Sequence, residues 1–155
     1  MSNSDREAFR TLAVELQILE GTAETVQARL NLVNAALTEL NIARMTLDGV
    51  EKETPHASLF VPIGGGSFIK AKLESNDKVI VGAGAGVSIE RSVAEAAQML
   101  QNRISEMEKT RTSLQQHLVQ VVGRIQEDRG KLQDLSAKLS QAGRRAGVSE
   151  AKGRS

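Results

Sequence analysis

Apolar residues recur at alternating steps of three and four from Phe9 to Leu47, and again from Val93 to Leu139. The first row runs Phe9, Leu12, Leu16, Leu19, Ala23, Val26, Leu30, Val33, Leu37, Leu40, Arg44, Leu47 and is broken only by Arg44. The second runs Val93, Ala97, Leu100, Ile104, Met107, Arg111, Leu114, Leu118, Val121, Ile125, Asp128, Leu132, Leu135, Leu139, with breaks at Arg111 and Asp128. Such steps average the coiled-coil repeat, and a long helix carrying one apolar stripe must bury it against another helix. Two matched rows joined by a short stretch of different character predict a mainly α chain, a long antiparallel coiled-coil hairpin with a small β insert.

Start and stop signals set the expected bounds. Ser4 with Glu7, and Ser92 with Glu95, have the spacing at which each side chain satisfies a backbone N–H of the other, so both pairs predict helix starts. With Gly49 as a stop, the first helix is expected over 5–48 and the second over 93–141, roughly 66 and 74 Å at about 1.5 Å per residue. Pairing Leu47 with Val93 places Arg111 near Arg29 and Asp128 near Leu12. A polar residue in the row weakens a coiled coil. The simpler expectation for Arg44, Arg111 and Asp128 is that they reach out of a thin two-helix core; the other is that they fix its register.

Between the helices the period shortens toward two, as Ile69, Ala71 and Leu73 share one face while Phe68, Lys70 and Lys72 share the other. Gly64 to Gly66, Ser75 to Lys78, and Gly82, Gly84 and Gly86 separate four short strands over 59–62, 67–73, 79–81 and 87–89, forming two central β-hairpins within 58–90. A free hairpin exposes an apolar face and two hydrogen-bonding edges, so this segment is expected to need partners. Over 142–155 the apolar pattern thins, and Arg144, Arg145, Lys152 and Arg154 outweigh Glu150, which predicts a mobile basic tail.

Composition narrows the function classes. Three Phe and neither Trp nor Tyr in 155 residues leave little material for a thick globular core. Twenty basic against nineteen acidic residues argue against a dedicated nucleic-acid binder. The absence of cysteine excludes disulfides, thiol catalysis and Cys-ligated metal. No apolar run approaches the length of a membrane span and the first ten residues are polar, so a cytoplasmic chain with no membrane partner is expected. The Gly-x-Gly-x-Gly run at Gly82 lacks the Lys followed by Ser or Thr of a phosphate-binding loop, so no nucleotide cofactor is implied. His56 and His117 have no second ligand at metal spacing, and no nucleophile–base–oxyanion constellation can be drawn. The chain is expected to be no enzyme, with no catalytic or metal site. Where the coil frays at its free end, Phe9, Leu12, Leu132, Leu135 and Leu139 form an apolar row able to hold an extended polypeptide.

The run Leu59-Phe60-Val61-Pro62-Ile63-Gly64-Gly65-Gly66-Ser67-Phe68-Ile69, followed by Val79-Ile80-Val81-Gly82-Ala83-Gly84-Ala85-Gly86-Val87, strongly resembles the prefoldin alpha subunits, particularly the archaeal form. The specific signal lies in residues 59 to 90; the coiled coils are generic. The resemblance implies a hetero-hexamer of two alpha and four beta subunits whose hairpins build an intersubunit β-barrel. It also implies an ATP-independent chaperone that captures unfolded clients at the coil ends and passes them to a group II chaperonin. Carried onto this chain, Phe60, Val61, Phe68, Ile69, Val79, Val81, Val87 and Ile89 are expected to support the platform. Phe9, Leu12, Leu132, Leu135 and Leu139 are expected to meet clients. The alternative is a structural coiled-coil scaffold that oligomerises without capturing clients.

Overall fold

The computed structural model describes residues 3–152. The chain order is helix α1 (Asn3–Lys52), strands β1 (Ser58–Gly64), β2 (Ser67–Lys72), β3 (Lys78–Gly84) and β4 (Val87–Ser92), then helix α2 (Val93–Lys152). Two compact units are present. One joins Met1–Leu32 to Arg111–Ser155, and the other is Val33–Thr110. Each unit therefore combines an early part of one helix with a late part of the other, as an antiparallel helical hairpin requires.

Every position of the two predicted rows is buried or half-buried, whereas most intervening positions are exposed. In the first unit the closed core comprises Val26, Leu30, Val121 and Ile125; in the second it includes Leu37, Leu100, Ile104 and Ala96. Ala96 is fully buried just inside α2, one position from the predicted Ala97.

The helices are longer than their stop signals suggested. α1 passes through Gly49 to Lys52, because Val50, Glu51 and Lys52 tolerate the helix, and Pro55 pushes Thr54 out of it. α2 runs on to Lys152 instead of ending near Gln141, so the described part of the predicted tail is helical; residues 153–155 lie outside the described residues. The row thins there, but Ala142, Gln141, Arg144, Arg145 and Ala146 favour helix, so loss of pairing does not end it. Ser4 already lies within α1 and is not its cap. Ser92 is a cap, its hydroxyl accepting from the Glu95 N–H at 3.1 Å.

Leu16 shares a groove with Leu132 and Ser136, and Ala43 shares one with Arg103 and Met107.

The strands form two separate antiparallel hairpins. In the first, Leu59 pairs with Ala71, Val61 with Ile69 and Pro62 with Phe68; in the second, Val79 pairs with Arg91, Val81 with Ile89 and Gly82 with Ser88. Gly82 therefore belongs to β3 and does not end it. Both hairpins shift register at the same place, between Pro62 and Gly64 and between Gly82 and Gly84. Both then turn on two residues with positive φ, Gly65 (56°) and Gly66 (74°) in one, Ala85 (50°) and Gly86 (75°) in the other. Positive φ at both positions is the turn that follows the natural twist of the strands, and it favours Gly or Asn. Ala85 is the misfit, since its Cβ crowds the following carbonyl in this conformation. Replacing Ala85→Asn is expected to stabilise this hairpin by about 0.5–1 kcal/mol, seen as slower amide exchange at Val81 and Ile89. Faster exchange would contradict the turn assignment.

Both hairpins are tied down at their base. The Ala57–Leu73 contact is closed by His56 N–H to Leu73 O and Leu73 N–H to Ala57 O, each at 2.8 Å, and Asn76 donates to Glu53 O at 2.7 Å. Val93 N–H reaches Asp77 O at 3.0 Å, and the Arg103 guanidinium donates to Gly82 O, fixing β3 against α2.

Candidate functional site

Strand alternation puts Phe60 and Phe68 on one face of the first hairpin and Val61 and Ile69 on the other. The two Phe rings meet edge to face, centroids 6.4 Å apart, which packs them against each other while leaving Phe60 65% and Phe68 60% exposed. Val61 and Ile69 are also exposed, so both faces of this hairpin carry open apolar side chains, the Phe face beside Lys70 and Lys72. The second hairpin is asymmetric. Val81 is buried and Val79 and Ile89 are half-buried, whereas Ile80 is 77% exposed and Val87 is exposed.

The eight predicted platform residues thus divide. Phe60, Val61, Phe68, Ile69 and Val87 offer apolar surface outward; Val81, with Val79 and Ile89 beside it, supports the hairpin from within the chain. Ile63 and Ile80 are exposed apolar side chains that the sequence reading omitted. Within Val79-Ile80-Val81 every residue is β-branched, so the pattern carries no signal of which face is covered. Each sheet has only two strands, so both outer edges keep unpaired backbone donors and acceptors. An isolated hairpin with these features gains most of its stability from what it packs against.

In the other unit, Phe9, Leu12, Leu132, Leu135 and Leu139 are all half-buried. A shallow groove lined by Leu16, Leu132, Ser136 and Ala137 opens beside them, next to Arg129, which pairs with Glu20 at 2.6 Å. Apolar surface is therefore partly accessible along this stretch, yet continuous with the helix seam.

The row-breaking polar residues behave differently from one another. Arg44 is half-buried and crosses to α2, donating to Ala97 O at 2.8 Å while pairing with Asp48 at 3.4 Å. Asp128 is wholly buried, which removes the expectation that it reaches out of the core. Neither of its carboxylate oxygens accepts a hydrogen bond from a described residue, and its ion pair, with Arg124 Nε at 3.4 Å, is long. Arg124 turns its other nitrogen to Glu15 of α1 at 2.8 Å. The Glu15 hydrogen bond and the nearby Asp128 charge hold the Arg124 pKa above its ordinary value. The result is a charged chain from the seam of α2 to the flank of α1, consistent with a register-fixing role. Because a buried carboxylate without hydrogen bonds is costly and Arg124 keeps Glu15, Asp128→Leu is expected to stabilise the coil by about 1–3 kcal/mol. A lower thermal midpoint would show that Asp128 is better satisfied than this geometry allows.

Among the described residues no group of three His, Cys, Asp or Glu is placed to hold a metal ion, and no helix is long and apolar enough to cross a membrane. His56 sits in the turn before β1 with φ 65° and is exposed, as is His117.

The model of the family described as "Prefoldin: Prefoldin subunit" matches residues 19–138. Prefoldin subunit alpha of Pyrococcus horikoshii is 33% identical over 141 residues, covering 90% of this chain and 95% of that one. The protein of the same name from Methanosarcina barkeri is 35% identical and covers 70% of this chain and 78% of its own. Among solved structures, the cryo-EM structure of filamentous PFD from Methanocaldococcus jannaschii shares the fold, with a TM-score of 0.63 at 22% identity, over 74% of this chain and 95% of that one.

Proposed function

This chain belongs to the prefoldin subunit family, and on that premise we propose that it is the alpha-type member of a chaperone assembly that holds unfolded proteins without ATP. Its relatives carry the alpha name over most of their length. In this reading two copies join four smaller beta subunits through the hairpins, whose strands combine into a closed barrel. Clients are held at the free helix ends, in the cytoplasm, and handed to a group II chaperonin.

The observation that carries this reading is the first hairpin, which exposes apolar side chains on both faces and is unpaired at both edges. Closing such edges into a barrel satisfies their backbone groups and buries Phe60 and Phe68 at once. Weak capture at several ends then gains affinity through multivalency, which needs no nucleotide.

The half-buried state of Phe9, Leu12, Leu132, Leu135 and Leu139 is also what a plain spacer would show, which keeps the scaffold as the second reading. Light scattering of a denatured protein diluted into the purified complex separates the two. Suppressed aggregation, equal with and without ATP, is expected of the chaperone; a scaffold leaves scattering unchanged.

A further inference from the structure

The two hairpins share one design. Ser58–Lys72 and Lys78–Ser92 match cross-strand pair for cross-strand pair, register shift and positive-φ turn included. Val61 faces Ile69 in the first as Val81 faces Ile89 in the second. Yet Val61 and Ile69 are 42% and 54% exposed, while Val81 is 8% exposed and Ile89 is half-buried. The same residue types at the same register therefore owe their different burial to how each hairpin is mounted. The second is held at both ends. β4 passes straight into α2, Val93 N–H closes onto Asp77 O at the base, and near the turn the Arg103 guanidinium donates to Gly82 O. Asp77 and Gly82 lie about 16 Å apart along an extended strand, and a hairpin pinned at two such points cannot swing away from its helix. The first is held at one end. Among the described residues its ties, His56 N–H to Leu73 O, Leu73 N–H to Ala57 O and Asn76 to Glu53 O, lie at the base, where its half-buried Leu59 and Ala71 also pair. The link 53–57 below it contains His56 at φ 65°, a conformation that side chains disfavour, so alternatives to it lie close in energy.

We propose that Arg103 is a positioning residue for assembly: it clamps the second hairpin to α2 as a fixed template, whereas the first hairpin swings on link 53–57 until partner strands close on it. This rests on the reading that the hairpins assemble. A template that is already oriented loses less freedom on association than one that must first be ordered. Arginine suits the clamp, because its planar fork of N–H donors makes a charge-assisted hydrogen bond to a backbone carbonyl and so needs no particular side chain on β3. Gly82 supplies only that carbonyl.

The chain has no cysteine, so pairs of nitroxide labels can be placed on introduced thiols and their separation read by double electron–electron resonance. Ser67→Cys, just past the first turn, and Val87→Cys, its counterpart in the second hairpin, are each combined with Gln101→Cys on α2; all three positions are exposed. In the full chain alone, the distance distribution is expected to be several-fold wider for the first hairpin than for the second. Arg103→Ala is expected to widen the second several-fold, with Arg103→Lys in between, and to slow assembly several-fold at an unchanged thermal midpoint. In the complex, with labelled chain diluted by unlabelled chain, the distribution for the first hairpin is expected to narrow. Equal widths for the two hairpins, or a second hairpin indifferent to Arg103→Ala, would overturn the proposal. The comparison of the two hairpins with Arg103 in place decides it even where Arg103→Ala misfolds. Complexes of the wrong subunit composition would count against the assembly reading instead, and the single-chain widths would still decide whether Arg103 clamps the hairpin.

Discussion

Replacing Phe60 and Phe68 together by lysine is expected to abolish assembly while leaving the subunit folded. Both side chains are mostly exposed in the single chain, so the substitution removes little internal packing. In a closed barrel the same positions are covered, and burying two unpaired ammonium groups costs several kcal/mol, more than a hundredfold in the association constant. Native mass spectrometry should therefore show only small species, with helical circular dichroism and thermal midpoint of the subunit nearly unchanged. Val81→Lys makes the contrast, since Val81 is only 8% exposed in the single chain and its replacement should disrupt the hairpin itself. Normal assembly of the Phe60→Lys, Phe68→Lys variant would place the interface elsewhere.

Serine at Leu132, Leu135 and Leu139 should have the converse effect. The hairpins are untouched, so the complex keeps its mass, while the apolar row near the helix ends is lost. On the proposed reading, in which capture rests on several weak contacts acting together, removing one tip from every copy of this chain should reduce aggregation suppression disproportionately. The coil near these positions loses some stability too, but each leucine is only half-buried, so the cost stays below the 2–5 kcal/mol of a full core deletion. Full aggregation suppression by this variant would move the client site away from α2.

The helical seams were readable because a coiled-coil core is a local, periodic property: each row position, from Phe9 to Leu47 and from Val93 to Leu139, is covered in the structure. Helix ends were less so. Gly49 weakens a helix without ending it, and the true stop depends on Pro55 six residues on. The sequence singled out Asp128 as a break in the row, but whether it escapes or is buried depends on Arg124 and Glu15, which meet only once the helices pair.

The two hairpins were visible from their glycines and alternation, yet their inner and outer faces were not. In β1 and β2 both faces carry apolar residues, and in β3 three consecutive β-branched residues hide the alternation, so Val81 was named for the platform and the exposed Ile80 left out.

The most direct test of the central claim is the native mass and subunit composition of the complex purified with this chain from its own cells. Two copies of the chain with four copies of a smaller coiled-coil protein is the predicted result. A homo-oligomer, or a chain purified alone, would contradict it.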